Sequence, residues 1–184
     1  MSVAVVGAKG QLGLECCRQL GDSVLALDQP DLDMTNRDMV LSVFAGNRSP
    51  SAIVNCAAYT LADKAESEPE LCRRLNVEAV GYLAEAAGRA DCPLIQISSD
   101  YVFGGDRTRT APYREDDPPA PLSVYGRTKV EGEKITTQWR KHFIVRSNAL
   151  FGLSARNNNF VEAILRLARE RGCLRVVDDQ TCSA

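Results

Sequence analysis

The chain has 184 residues, with 24 acidic and 22 basic side chains, a formal net charge of −2 at pH 7 and 45% apolar residues. This size and composition are typical of one soluble globular domain with a substantial core. Acidic and basic residues nearly balance and basic clusters are absent, which argues against a nucleic-acid partner. No apolar run approaches the roughly 20 residues that a bilayer span requires, so we expect a cytoplasmic protein with no membrane partner.

Strand and helix patterns alternate along the chain. Apolar segments predict strands at 2–6, 23–27, 52–56, 94–98, 143–146 and 174–177. Amphipathic segments predict helices at 11–20, from Thr35 or Asn36 to about Phe44, at 69–89, around residues 125–129 and at 159–171. Strands separated by crossover helices indicate an α/β fold with a doubly wound parallel sheet. The segment 104–122 is rich in proline, glycine and charge, and its length favours a functional or lid role.

The cysteine pattern favours a structural role. The seven cysteines are odd in number and include no Cys-x-x-Cys pair, so we interpret them as thiols of a protein from a reducing compartment. We expect no metal site. His142, the single histidine, has no partner in the sequence, and we expect it and Trp139 to serve in packing.

A glycine-rich turn directly follows the first predicted strand. Gly7, Gly10 and Gly13 stand at three-residue intervals and open the helix at 11–20. Glycines at such a place let the backbone turn tightly and approach a pyrophosphate, whose charge is met by the N–H groups of the helix N-terminus. The context predicts a Rossmann-type dinucleotide site.

Asp28 ends the second predicted strand, near the offset at which an acidic side chain binds the adenosine ribose. A carboxylate there favours NAD(H), because it repels a ribose 2′-phosphate. Lys9 lies inside the glycine turn, where its ammonium could offset that repulsion. The choice between NAD(H) and NADP(H) therefore stays open.

Tyr125 and Lys129 are one helical turn apart and so share a helix face. An ammonium near a phenol favours the ionised phenol and lowers its pKa, which suits a proton donor to an alkoxide. Ser98 and Ser99 end the fourth predicted strand. Ligands of open parallel sheets lie beyond the carboxyl ends of strands, so a serine there can hold a substrate carbonyl while Tyr125 protonates it.

Several longer words of the sequence are characteristic of one family. They are Gly7-x-x-Gly10-Gln-Leu-Gly13, Leu32-Asp33-Met34-Thr35, Asn55-Cys-Ala-Ala-Tyr-Thr60, Asp63-Lys-Ala-Glu66, Ser98-Ser-Asp-Tyr-Val-Phe103, Tyr125-Gly-x-x-Lys129 and Asn158-Asn-Phe160. From residue 1 to about 180 the chain resembles the extended short-chain dehydrogenase/reductases, specifically the dTDP-4-dehydrorhamnose reductase branch.

The resemblance implies a role for individual residues. It makes Ser99, Tyr125 and Lys129 catalytic, with Tyr125 as general acid and Lys129 on the nicotinamide ribose. The residues that it implies for the cofactor, beyond Gly7, Gly13 and Asp28, are Gly10, Gln11 and Leu12 at the pyrophosphate, Asp33 and Met34 at the adenine, and Ala57, Ala58 and Tyr59 along the cleft. Asp100 and Tyr101, with Ser99 and Tyr125, would face the sugar. Glu15 matches one Mg²⁺ ligand of some members, but one carboxylate cannot make a metal site.

The implied reaction is the NAD(P)H-dependent reduction of a 4-keto-6-deoxy sugar nucleotide. We expect residues 1–150 to form the NAD(P)-binding Rossmann domain with the catalytic Tyr and Lys, and residues 151–184 to hold the last helix and strand with the start of a truncated substrate-binding region. Two alternatives stay open. One is another sugar-nucleotide epimerase or dehydratase, and the other is an NADP-binding regulatory subunit resembling the β subunit of methionine adenosyltransferase. A homodimer or a regulatory partner enzyme is also left open.

Overall fold

A computed structural model of the chain describes residues 2–46, 49–106, 108–152 and 159–176. Five parallel strands form one sheet in the order β2-β1-β3-β4-β5. The strands are β1 (Val3–Val6), β2 (Val24–Leu27), β3 (Ala52–Asn55), β4 (Leu94–Ser99) and β5 (His142–Ser147). Because β1 pairs with β2 on one side and β3 on the other, the strand order reverses beside β1. This topology confirms the predicted doubly wound, Rossmann-type sheet.

Helices connect the strands at nearly the predicted places. In the described residues they are α1 (Gln11–Leu20), α2 (Arg37–Val43), α3 (Ala62–Ala65), α4 (Pro69–Arg73), α5 (Ala79–Arg89), α6 (Val124–Thr136) and α7 (Phe160–Glu170). Short 3₁₀ turns cover Gly21–Ser23 and Asp100–Val102. Asn36 caps α2 by accepting a hydrogen bond from the Met39 amide. No helix in these ranges combines the length and the apolar character needed to cross a membrane.

The main core lies where α2 and α5 pack against the sheet. Val40 and Leu83 come from the two helices, Ile53 and Leu94 come from β3 and β4, and all four are almost fully buried. Trp139 extends this core at its edge, where its Nε1 donates to the Cys92 carbonyl at 2.9 Å. The expected packing role of Trp139 is thereby confirmed.

The helix predicted at 69–89 forms with one change in its winding. Pro69 lies in the first turn, as expected, but Arg74–Glu78 forms a π-helical turn between α4 and α5. Within it the buried Asn76 donates to the Tyr59 carbonyl and to the Thr128 hydroxyl. A π turn widens the helix locally, and here it places a polar side chain among buried groups. Apolar periodicity carries no signal for this change.

The strand predicted at 174–177 is wrong for the residues that the structure describes. Residues 174–176 form no strand, and residue 177 lies outside the described part. α7 buries none of its side chains, and Val176 remains 52% exposed. An apolar run becomes a strand only where a neighbouring strand offers its backbone groups. In the described sheet β5 pairs with β4 alone.

The described cysteines are free thiols in mostly sheltered positions. Cys72 and Cys92 are buried, Cys16, Cys17 and Cys56 are partly buried, and Cys173 is exposed. Cys182 lies outside the described residues. His142 starts β5, with its Nδ1 2.7 Å from the Trp139 carbonyl oxygen, and this contact agrees with a packing role.

Two helical glycines differ sharply in the room around them, which gives a stability test. A Cβ on Gly132 of α6 would lie 2.4 Å from the Asn76 carbonyl oxygen, whereas one on Gly81 of α5 would meet only Ile135 at 3.6 Å. We expect Gly132→Ala to lower the free energy of unfolding by about 1–3 kcal/mol through overpacking. Gly81→Ala should raise it by up to about 1 kcal/mol. Urea unfolding of both variants checks this, and equal effects would contradict the contact.

Candidate active site

The glycine turn forms a close backbone cradle between β1 and α1. Gly7 has φ +78°, and a Cβ there would lie 2.7 Å from the Ala57 amide nitrogen. A Cβ on Gly13 would lie 2.1 Å from the Gly7 carbonyl oxygen. α1 begins at Gln11 after Gly10 without a side-chain cap and without an acidic residue in its first turn. The amide groups of this turn are thus left for an anion.

Asp28 lies beside the glycine turn and binds its backbone. One carboxylate oxygen accepts from the Lys9 amide and the other from the Gln29 amide, each at 2.8 Å. The Lys9 ammonium donates to the Gln29 carbonyl. The turn is therefore tied to the end of β2 by both a carboxylate and an ammonium. Asp28 and Lys9, whose charges should act in opposite directions on a ribose 2′-phosphate, therefore lie close together.

The residues predicted at the adenine and along the cleft follow β2 and β3. The Asp33 carboxylate accepts from the Thr35 hydroxyl at 2.8 Å and from the Thr35 amide at 2.9 Å, and these bonds lower the pKa of Asp33. Met34 is buried behind this turn. Ala57 and Ala58 directly follow β3 and are partly buried. All four lie past the carboxyl ends of strands, at the same sheet edge as the glycine turn.

Tyr59 directs its side chain into a small core rather than into an open cleft. It is buried, and its hydroxyl donates to Glu68 at 2.7 Å. Burial, followed by the bond to Glu68, raises the pKa of Tyr59 to about 12. Its ring belongs to a cluster with Cys72 against which Tyr125 packs. The backbone of Tyr59 follows the predicted cleft residues, while its side chain packs against Tyr125.

Ser99, Asp100 and Tyr101 turn sharply at the end of β4. The Ser99 hydroxyl donates to the Asp100 carboxylate at 3.1 Å and accepts from the Tyr101 amide at 3.2 Å. Burial raises the pKa of Asp100, and the bond from Ser99 opposes that rise. The half-exposed Tyr101 ring meets the Tyr125 ring edge-on, with centroids 5.5 Å apart. The four residues predicted to face the substrate therefore converge at one place.

Tyr125 and Lys129 lie on the face of α6 that meets β4. The Lys129 ammonium is almost fully buried and donates to the Ile97 carbonyl at 2.7 Å. Burial lowers the pKa of Lys129 to about 8. The predicted depression of the Tyr125 pKa is absent, because burial of the phenol raises the pKa and the neighbouring Ser99 hydroxyl opposes this rise only in part.

A buried polar network behind Lys129 was not predicted. The Asn76 side chain accepts from the Tyr59 amide at 2.9 Å and donates to the Thr128 hydroxyl at 3.1 Å. Thr128 in turn donates to the Tyr125 carbonyl and lies 3.2 Å from the Cys72 sulfur. Asn76 therefore joins the segment after β3 to α6. An asparagine inside an apolar helical pattern is the sequence signal that could have marked it.

The start of α6 depends on three further residues. Ser123 caps the helix by accepting from the Gly126 amide at 3.0 Å, and Glu66 accepts from the Val124 amide at 2.7 Å. A Cβ on Gly126 would lie 2.2 Å from the Tyr101 carbonyl oxygen. Only a residue without a side chain lets α6 approach the turn after β4 this closely. Gly126, in the Tyr-Gly-x-x-Lys word, thereby brings Tyr125 next to Ser99.

A stack of side chains joins the segment 104–122 to Phe103, after β4, and to Arg146 of β5. The Arg146 guanidinium lies 4.9 Å from the Phe103 ring centroid, Phe103 stacks on Tyr113 at 4.1 Å, and Arg109 lies 4.3 Å above Tyr113. Arg109 also forms an ion pair with Asp117. The segment is thus packed down by cation–π and aromatic contacts, which are worth about 1 kcal/mol each.

No metal centre was found among the described residues. Glu15 is engaged instead by Arg18 and Gln19, at 2.6–2.8 Å, and the bond from Arg18 lowers the pKa of Glu15 to about 2.

A glycine cradle and a Ser–Tyr–Lys group, both at the carboxyl edge of a parallel sheet, define a Rossmann-fold protein of the extended short-chain dehydrogenase/reductase class. The family model described as "RmlD substrate binding domain" matches residues 1–183, and the chain belongs to this family. The resemblance found in the sequence is confirmed.

Individual relatives are similar over nearly the whole chain. The dTDP-4-dehydrorhamnose reductase of Aggregatibacter actinomycetemcomitans is 44% identical over 181 residues, which are 96% of this chain and 60% of that protein. A crystal structure of a dTDP-4-dehydrorhamnose reductase from Clostridium acetobutylicum matches with a TM-score of 0.90 at 38% identity, covering 98% of this chain and 64% of that one. The Bacillus anthracis reductase in complex with NADP matches at 37% identity with a TM-score of 0.85, covering 92% and 61%. The chain therefore spans about 60% of the length of the curated relatives that it matches.

The buried ammonium of Lys129 predicts a pH-dependent stability difference. Its pKa falls from 10.5 to about 8 on folding, so the unfolded chain binds more protons between these values and stability rises with pH across that window. Below pH 8 the full cost of desolvation is present. Lys129→Met should therefore stabilise the fold at pH 7 by about 2 kcal/mol, after loss of one hydrogen bond.

This advantage should shrink towards pH 10. Urea unfolding at pH 7 and pH 10 measures it, with Lys134→Met, an exposed lysine of the same helix, as the matched control. An advantage that is independent of pH would show that the Lys129 ammonium is not desolvated.

Proposed function

We propose that this chain is the cofactor-binding and catalytic part of an NAD(P)H-dependent reductase of a 4-keto-6-deoxy sugar nucleotide, in the manner of dTDP-4-dehydrorhamnose reductase. The observation that carries the proposal is the convergence of Ser99, Tyr125 and the buried Lys129 at the same sheet edge as the glycine cradle. The relatives' names support the substrate class.

The cradle fits a dinucleotide. Side chains at Gly7 and Gly13 would fill the space against Ala57 and the Gly7 carbonyl, and the uncapped start of α1 presents Gln11 and Leu12 amides to a pyrophosphate. In the proposed arrangement Asp28 faces the adenosine ribose, and Asp33 and Met34 flank the adenine. Ala57, Ala58 and the Tyr59 backbone line the way to Lys129, which holds the nicotinamide ribose. The NADP complex of the Bacillus anthracis relative supports a nicotinamide dinucleotide as the ligand of this fold.

The proposed chemistry is a proton transfer coupled to carbonyl reduction. When bound, NAD(P)H supplies a hydride to the carbonyl carbon. The Tyr125 phenol gives its proton to the oxygen that becomes an alkoxide, and Ser99 orients that oxygen by a hydrogen bond. The raised pKa of Tyr125 keeps the phenol protonated until the alkoxide develops. Asp100 and Tyr101 border the same space and are placed to bind sugar hydroxyls.

The proposal extends to the domains and the surroundings of the protein. Residues 1–150 would bind the cofactor and carry the chemistry, and residues 151–184 would begin the substrate-binding region. A nucleotide-sugar substrate and six described free thiols suit the cytoplasm. A role as an NADP-binding regulatory subunit predicts cofactor binding without turnover, and the experiments below distinguish it.

Binding of the nicotinamide cofactor is the first test. We expect the chain to bind NADH and NADPH in calorimetry at sub-millimolar concentration, and Asp28→Ala to raise the NADPH-to-NADH affinity ratio by about tenfold, since a carboxylate that repels a 2′-phosphate is removed. Asp28→Asn should act similarly while it keeps an acceptor for the Lys9 amide. No binding of either cofactor would overturn the proposal, and an unchanged ratio would remove Asp28 from the ribose site.

Turnover is the second test. Since the matched region is only 60% of the Aggregatibacter relative, we would fuse the unmatched part of that protein to this chain and assay NADPH oxidation with dTDP-4-dehydrorhamnose. The fusion should exceed the 184-residue chain in turnover, because remote contacts position the reacting carbon. In the fusion, Tyr125→Phe should lose about 10²-fold or more with little change in NADPH affinity.

Tyr82→Phe, which removes a phenol of α5 outside the site, is the matched control and should keep activity. Loss of less than a few-fold in Tyr125→Phe would exclude Tyr125 as the proton donor. A fusion that binds NADPH and reduces no sugar nucleotide would favour the regulatory alternative.

A further inference from the structure

Glu133 is a buried carboxylate that the proposed chemistry does not use. It lies one helical turn beyond Lys129 and two beyond Tyr125, so the three side chains form a row along one face of α6. Glu133 and Lys129 are 5% and 4% exposed. A carboxylate this far from water needs a compensating partner.

Arg146 supplies that partner from β5. Its Nε and Nη2 donate to the two Glu133 oxygens at 2.9 and 2.8 Å, a two-pronged ion pair. A third nitrogen donates to the Glu115 carbonyl at 3.1 Å, and the guanidinium plane meets Phe103. Arg146 is therefore held from three sides, and it fixes the Glu133 carboxylate within α6.

Few groups compensate the Lys129 ammonium. β4 presents the Ile97 carbonyl, which accepts one hydrogen bond. The titratable groups that face the ammonium are Glu133 from α6 itself and the Cys72 thiol from α4. Of these, Glu133 opposes most strongly the desolvation that lowers the pKa of Lys129.

We propose that Glu133, fixed by Arg146, is a positioning residue that keeps the buried Lys129 ammonium charged and directed to the end of β4. The inference rests on the proposed role of Lys129 at the nicotinamide ribose. It adds a second layer to the site, in which the last turn of α6 and the end of β5 set the charge of a group that touches the cofactor.

The test is a direct titration of Lys129 in the cofactor-free chain. Lysine labelled with ¹³C at Cε reports each ammonium by NMR, and Lys129→Arg assigns the resonance. In the parent chain Lys129 should titrate near pH 8. In Glu133→Gln its midpoint should fall by about one pH unit or more, because the opposing charge is lost. Glu133→Asp, which keeps the charge, should restore most of the shift.

Glu131→Gln is the matched control on the same helix. Glu131 is 48% exposed and pairs loosely with Arg73 at 3.8 Å, so its loss should leave the Lys129 midpoint unchanged. Glu133→Gln leaves the Arg146 charge unpaired and can fail to fold. The double variant Glu133→Gln with Arg146→Met avoids this and should show the same lowered midpoint.

A second arm follows NADPH affinity from pH 6 to pH 9. Affinity should weaken as Lys129 loses its proton, with the midpoint lowered in Glu133→Gln in step with the NMR value. An equal Lys129 midpoint in parent, Glu133→Gln and the double variant would overturn the inference, whatever the cofactor does. A parent chain that shows the lowered NMR midpoint in Glu133→Gln but binds no NADPH would overturn the proposed function alone.

Discussion

Direct backbone contact between α6 and the segments on both sides of it is the constraint on which the site depends. Gly126 lets α6 approach the backbone of the turn after β4, and Gly132 lets it approach the backbone of the π turn between α4 and α5. A Cβ at either position would lie 2.2 or 2.4 Å from a carbonyl oxygen, so the helix would have to move away. With both contacts made, the Tyr125 ring meets the Tyr101 ring in the turn that begins at Ser99, and Lys129 reaches the Ile97 carbonyl. The positions of Tyr125 and Lys129 thus depend on the two glycines, Gly126 and Gly132.

Two buried polar side chains around this contact, Asn76 and Glu133, have their partners in place. The Asn76 side chain forms hydrogen bonds with Tyr59 and Thr128, and both carboxylate oxygens of Glu133 accept hydrogen bonds from Arg146. A network with its partners in place is rigid and specifies one arrangement, whereas a partly satisfied one costs several kcal/mol. The site is therefore held by polar groups behind it as well as by the apolar core beneath the sheet.

The sequence predicted the sheet, most helices and the edge at which the site residues meet, because strand periodicity and the glycine turn are local patterns. It did not predict what depends on distant neighbours. Asn76, in the π turn, forms hydrogen bonds with Tyr59 and Thr128, which lie far from it in the chain. The pKa of Tyr125 is raised by burial, and the spacing of Tyr125 and Lys129 in the sequence does not show how deeply the phenol is buried. The apolar segment at 174–176 forms no strand, because strand formation needs a neighbouring strand to pair with, and the sequence of the segment does not show whether one is present.

The segment 104–122 is closed at its neck. Gly104 pairs with Pro121 in an isolated antiparallel bridge, and Gly105 donates to the Ala120 carbonyl at 2.8 Å. Because the two ends are joined there, the distance between β4 and α6 does not depend on how many residues the segment contains. Homologues can therefore lengthen, shorten or rewrite its tip without moving Ser99 or Tyr125. Variation between residues 105 and 120 is thereby separated from the backbone that positions Ser99 and Tyr125.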